Sequence, residues 1–244
     1  MEPKDKPSGH ILSRRQVVTL LGMTGAVWLT GGGLIPRRVF AGEAESACIV
    51  RPEQMEGPYF VDERLHRSDI RSDPASGQIK QGTPLMLTFQ VMRLNARNCG
   101  PLPGAQVDIW HCDATGVYSD VQDPWFNTIG RKFLRGHQIT DARGEVRFIT
   151  IYPGWYPGRT VHIHFKIRTG SSAGGSFDFT SQLYFDDTIT DRVFSAPPYA
   201  ERGPRTARNR QDHIFRHGGD RLMIAPSPID KGYTAAFSIG LQLP

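Results

Sequence analysis

Residues 152–165 read YPGWYPGRTVHIHF, and in them His162 and His164 stand a single residue apart, behind Arg159 and the tyrosines Tyr152 and Tyr156. In an extended strand alternate side chains share a face, so both imidazoles project to one side while Val161, Ile163 and Phe165 project to the other. Two imidazoles on one face are half of a metal site, although a histidine pair can also serve as hydrogen-bonded core or edge residues. A cupin-type site needs a Glu three or four residues beyond the second histidine, where Ile167 and Arg168 stand, and no carboxylate follows at the spacing of a two-histidine, one-carboxylate iron(II) site either. Tyrosine is the other available donor. A phenolate is a hard anionic oxygen that favours iron(III), and two phenolates with one hydroxide cancel the ferric charge, which lowers the cost of burying it. Tyr118, in DATGVYSD, joins Tyr152 and Tyr156 as a candidate.

The elements that must carry these side chains read as strands. From Pro84 onward the chain breaks into short β-prone runs cut by turn residues: PLMLTFQVM, AQVDIWHC, KFLRGHQIT, EVRFIT, VHIHFKIR, TSQLYF, RLMIAP and AAFSIGLQL. TDARGE, from Thr140 to Glu145, places Asp and Gly where a turn uses them. The charged and Gly/Pro-rich segment from Asp62 to Gly82 reads as a long surface loop. Strands recurring at roughly 8–12 residues predict an all-β chain, an antiparallel β-sandwich core with long connecting loops.

The basic balance of the whole chain is uneven. Residues 1–41 hold six of the 29 Lys and Arg but only two of the 24 acids, so 23 basic and 22 acidic residues remain beyond them. A nearly neutral body implies neither a nucleic-acid groove nor an anionic membrane surface. SRRQVV, the apolar run from Val17 to Leu29 and the glycines 31–33 resemble a twin-arginine export signal, with cleavage expected after Ala41. This divides the chain into a signal over 1–41 and a β-sandwich domain over 42–244, with membrane contact only during export. An uncleaved anchor is the alternative, which the five glycines and three threonines of Val17–Ile35 argue against. The chain has three cysteines and no CxxC, so a cysteine-rich zinc site is not expected. Cys48 and Cys99 are the expected disulfide pair of an oxidising compartment, and Cys112 a buried thiol.

As an ordered set, EGPYF, LPGAQVDIWHCDATGVYSD, FLRGHQITDARGEVRFITIYPGWYPGRTVHIHF and SQLYF resemble the intradiol ring-cleavage dioxygenases, which open catechols between the two hydroxyls in the breakdown of aromatic compounds. The resemblance implies one Fe(3+) held by Tyr118, Tyr156, His162 and His164, leaving Tyr152 structural. It implies that Arg159 and Gln182 support catalysis, with Tyr156 as both ligand and base, and that Gly57, Pro58 and Tyr59 line the substrate site. The small-molecule partners would be a catechol-type diol and O2. Two departures limit the transfer. Only Pro157 and Gly158 separate Tyr156 from Arg159, where many relatives carry a longer loop and the protocatechuate type a tryptophan at the place of Gly158, and no helical dimerisation region of the catechol type is expected. Neither subtype's substrate or oligomeric state therefore carries over. The competing expectations are an exported structural or carbohydrate-binding β-sandwich without metal, for which the paired tyrosines have no use, and a zinc or copper HxH protein.

Overall fold

The computed structural model describes residues 48–95, 98–170 and 177–243. The expected export signal, its boundary at 41/42 and the apolar run Val17–Leu29 lie outside the described residues. In chain order the elements are β1 (Pro84–Asn95), β2 (Asn98–Pro101), β3 (Gln106–Trp110), β4 (Gln122–Asp123), β5 (Phe126–Asn127), β6 (Arg135–Ile139), β7 (Glu145–Ile151), β8 (His162–Thr169), β9 (Phe177–Tyr184), α1 (Asp187–Phe194), β10 (Ser227–Ile229) and β11 (Gly232–Leu241).

Alternation decides which residues of β1 turn inward: Leu85, Leu87, Phe89 and Val91 are buried while Met86, Thr88 and Gln90 face outward. β1 is flanked by β11 on one side, with β10 beyond it, and on the other by β7 along Pro84–Gln90 and β2 along Met92–Asn95. The second sheet has the order β6–β3–β8–β9 and is antiparallel throughout. The two sheets face each other across an aromatic core in which Phe165 of β8 lies 5.4 Å from both Phe89 and Phe237. Burying each such ring stabilises the fold by about 1.5–3 kcal/mol. TDARGE carries the chain from one sheet to the other. Asp141 Oδ1 accepts the N–H groups of Arg143 and Glu145, and Gly144 has a φ of 75°, where an added Cβ would lie 2.2 Å from the Val91 carbonyl oxygen.

Three features differ from the sequence reading. β1 and β11 pair in parallel, with Leu85 opposite Tyr233 and Arg93 opposite Leu241; a two-residue period fixes faces but is blind to strand direction. RLMIAP forms no strand: Gly219–Leu222 is a 3-10 turn and Met223 makes one bridge to Tyr184, because Gly218 in the left-handed region (φ 92°) turns the backbone just before it. The segment Asp62–Gly82 is a strap more than a surface loop, with Ile70 and Asp73 buried and bridges from His66 to His137 and from Asp69 to Ile149. The Cys48–Cys99 disulfide is present with its Cα atoms 5.6 Å apart, and Cys112 is a buried free thiol. Among the described residues no helix is long and apolar enough to cross a membrane.

Candidate active site

β8 is buried on both faces where it carries the histidines. Ile163, Phe165 and Ile167 enter the inter-sheet core, and His162 and His164, 2% and 1% exposed, project from the opposite face. Cross-strand register supplies their neighbours: Tyr184 stands opposite His162, while Gln182 on β9 and Trp110 on β3 flank His164. The Trp110 ring lies parallel to His164, 8° from coplanar with centroids 5.0 Å apart, and sets its tilt.

Two loops bring tyrosines over this face. The turn after β3 is tied by Asp113, whose Oδ1 accepts from Thr115 N, Thr115 Oγ1 and Val117 N. Gly116, at φ 83°, passes so close to Trp155 that an added Cβ would lie 2.2 Å from its carbonyl oxygen, and the turn then delivers Tyr118. Tyr118 Oη comes to 3.4 Å, and Tyr156 Oη to 3.2 Å, from His162 Nε2, which is 3.1 Å from His164 Nε2. Tyr152 points elsewhere, exchanging a 2.7 Å hydrogen bond with Thr190 Oγ1 of α1.

These four donors fit a metal ion. Atoms about 2.0–2.1 Å from a central cation at tetrahedral angles sit about 3.3–3.4 Å from one another, and the observed 3.1–3.4 Å edges around His162 Nε2 match that spacing. His162 Nδ1 lies 2.6 Å from the Thr160 carbonyl, so Nδ1 carries the proton and Nε2 is left bare toward the tyrosines. Among the described residues no group of three His, Cys, Asp or Glu could hold a metal, so the donor set is complete only when the phenols are counted. Burial pushes the Tyr118 hydroxyl well above the usual tyrosine range and Tyr156 up to about 12, the Arg159 charge opposing part of the latter. Burial also holds both imidazoles well below the ordinary histidine range; Arg159 adds to this at His162, and His162 and Arg159 add to it at His164. The set is therefore two neutral imidazoles and two phenols that ionise only against a cation.

Arg159 and Gln182 meet at the same point. Arg159 Nη1 faces Tyr156 Oη and His162 Nε2, both at 3.4 Å, while its Nη2 donates to Gln182 Oε1. Gln182 Nε2 donates in turn to the Met55 carbonyl at 3.0 Å, and Tyr184 Oη donates to Gln182 Oε1 at 3.1 Å. Met55 leads into the GPY stretch. Gly57 packs against His164 with φ 76°, an added Cβ coming 3.3 Å from Cε1; Pro58 is exposed; Tyr59 stacks on Tyr118 with centroids 4.5 Å apart and donates to Asp123 at 2.7 Å. Tyr118, Tyr156, Arg159, His162, His164 and Gln182 thus come together at one centre, with Gly57 and Tyr59 beside it, while Tyr152 stands apart. Pro157 and Gly158 form an exposed turn, and nothing lies within 4 Å of a Cβ added at Gly158. The sequence reading missed Trp110, Thr160, Tyr184 and Asp212. Asp212 lies in the polar run RNRQDH, which carries no periodicity or motif; Trp110 and Tyr184 become visible only through strand register, and Thr160 only through the contact of its carbonyl with His162 Nδ1.

The sequence pattern of the dioxygenase family matches residues 55–210, which hold every residue of this centre except Asp212. The fold is similar to an intradiol ring-cleavage dioxygenase from Tetranychus urticae, at 31% identity and a TM-score of 0.69, covering 80% of this chain and 95% of that one. The chain belongs to the intradiol ring-cleavage dioxygenase family. Another similar structure is the dioxygenase domain of a dioxygenase and carbohydrate-binding protein fusion from Streptomyces sp. SirexAA-E, at 30% identity and a TM-score of 0.55, covering 80% of this chain and all of that domain. The chain is also 30% identical over 150 residues to the protocatechuate 3,4-dioxygenase beta chain of Burkholderia cepacia, covering 57% of this chain and 60% of that one. It thus spans less than two thirds of the length of that curated relative.

Proposed function

We propose that the protein is a non-haem iron(III) dioxygenase that opens a catechol-type diol between its two hydroxyls with O2, giving a cis,cis-muconate-type diacid. The convergence of Tyr118, Tyr156, His162 and His164 on one point faced by Arg159 Nη1 carries this reading. When bound, iron(III) supplies a Lewis acid that takes up the diol and opens its ring to direct attack by dioxygen. Tyr118, 1% exposed and pinned by its turn, serves as a fixed ligand. Tyr156, which just precedes the exposed Pro157–Gly158 turn, is the second ligand, and its oxygen takes the proton of a substrate hydroxyl, a transfer for which a strongly basic phenolate is suited. Arg159 Nη1 stabilises the negative charge that grows on the ring during attack, an effect strengthened by the dry surroundings. Gly57, Pro58 and Tyr59 form the wall against which the diol lies.

Oxygen uptake by the iron-loaded protein with catechol, protocatechuate, hydroxyquinol and larger lignin-derived catechols tests the reading. With labelled oxygen, mass analysis should find both atoms in a diacid; a semialdehyde as main product, or no uptake with any diol, overturns it. Export by the twin-arginine route is part of the proposal, and the Cys48–Cys99 bridge supports an oxidising destination. Replacing Arg14 and Arg15 by Lys should leave the folded chain inside the cell, and normal export would refute this.

A further inference from the structure

Arg159 is useful only if one of its nitrogens faces the reacting atoms, and three groups share that guanidinium. Nη2 goes to Gln182 and Nη1 faces Tyr156 and His162, whereas Nε donates to Asp212 Oδ2 at 2.8 Å. A guanidinium is a rigid planar fork, so fixing Nε and Nη2 fixes where Nη1 points. Asp212 is itself immobile. It is fully buried, its Oδ1 accepts Ile214 N at 2.7 Å and Phe215 N at 3.2 Å, and its Oδ2 accepts Thr160 N at 2.9 Å in addition to Arg159. The same carboxylate thus holds the peptide of Thr160, whose carbonyl fixes His162 Nδ1.

We propose that Asp212, which lies beyond the 55–210 span that the family pattern matches, is the positioning residue of this centre. It holds the guanidinium plane so that Nη1, and no other Arg159 nitrogen, is presented to the Tyr156 oxygen and to the charge that develops beside it. The inference rests on the ring-cleavage reading above. Asp212 touches no reacting atom; it acts through Arg159. Both of its oxygens are used as acceptors, each by two N–H donors, so an Asn at this position must turn an amide NH2 against one of those pairs. Iron binding rests on other side chains, of which Asp212 reaches His162 indirectly, through Thr160.

The test compares the full-length, iron-loaded wild type with Asp212→Asn, Arg159→Lys and the double variant. Iron per chain, the visible tyrosinate band, and kcat and KM for catechol are read from each. Misplacement of a catalytic group by about 1 Å costs up to about 100-fold. Asp212→Asn should therefore keep its iron and its band, lose about 10- to 100-fold in kcat and change KM by less than about threefold. In the Arg159→Lys background, which already lacks Nε, the same change should cost almost nothing more. A kcat within about twofold of wild type, or losses that multiply in the double variant, overturns the inference. If the Asn variant does not fold, Asp212→Glu serves: it keeps the charge and both acceptors but displaces the guanidinium, so wild-type kcat refutes positioning. Failure of both to fold assigns Asp212 to the scaffold instead. A wild-type protein with iron and no oxygen uptake refutes the ring-cleavage reading, and with it the inference; active wild type with unaffected variants refutes the inference alone.

Discussion

Replacing Cys48 and Cys99 by Ser should lower stability strongly while sparing turnover. The bridge closes a loop across a sequence separation of 51, and in the chain-entropy account releasing a loop of that size returns about 4 kcal/mol to the unfolded state. For a folded body of this size that corresponds to a fall in melting temperature of roughly 10 °C. The native state should barely notice. The segment after Cys48 has its own ties: Arg51 Nε to the Ser238 carbonyl at 3.0 Å, Gln54 N to the Thr180 carbonyl at 3.0 Å, Ser181 Oγ to the Pro52 carbonyl at 2.8 Å and Tyr184 Oη to Gln54 at 2.7 Å. These deliver Gly57 and Tyr59 to the centre whether or not the bridge exists. Thermal and urea unfolding of the variant, beside catechol KM measured well below its midpoint, separates the two states. A KM that rises together with the loss of stability would show that the bridge acts on the folded site, and an unchanged midpoint would refute the entropy argument outright.

Ferric uptake should release protons from Tyr118 and Tyr156, because burial keeps both phenols protonated without a cation while both imidazoles are already neutral. Apparent iron affinity should then rise with pH, by up to two protons per ion, and Tyr118→Phe should cut both the release and the visible band; uptake without proton release would remove the phenolates from the ligand set. Gly57→Ala forces an L side chain to φ 76°, at a cost of about 1–2 kcal/mol, and sets a methyl 3.3 Å from His164 Cε1. Iron retention should fall and catechol KM should rise with the fold intact, and wild-type values for both would refute the contact between this loop and His164.

What the sequence made legible depends on range along the chain. That His162 and His164 share a face follows from strand geometry within five residues, and the separation of Tyr156 from Tyr152 follows from the family motif, so both were readable. The inward faces of β1 were equally local. Trp110 beneath His164 is set by the β3–β8 register, and the Asp212–Arg159 pair joins a 3-10 segment to a turn 53 residues away, so neither leaves a mark in any short window. The strap over Asp62–Gly82 looked like loop for a related reason. Its arginine side chains satisfy backbone carbonyls, Arg67 reaching those of Ser72 and Arg135, and composition alone cannot tell that from solvation.

The parallel pairing of β1 with β11 sets an order of events for the nascent chain. β1 has β7 and β2 available early, but the strand on its other side arrives only after every other strand of both sheets has been made. Until then Leu85–Arg93 presents an open edge, and Phe89 and Phe165 lack Phe237. Pairings of such long range close slowly. Ribosome-bound chains should remain protease-sensitive along β1 until the last strand emerges, and trimming into β11 should unravel the sandwich from its middle where most proteins would merely fray at an end.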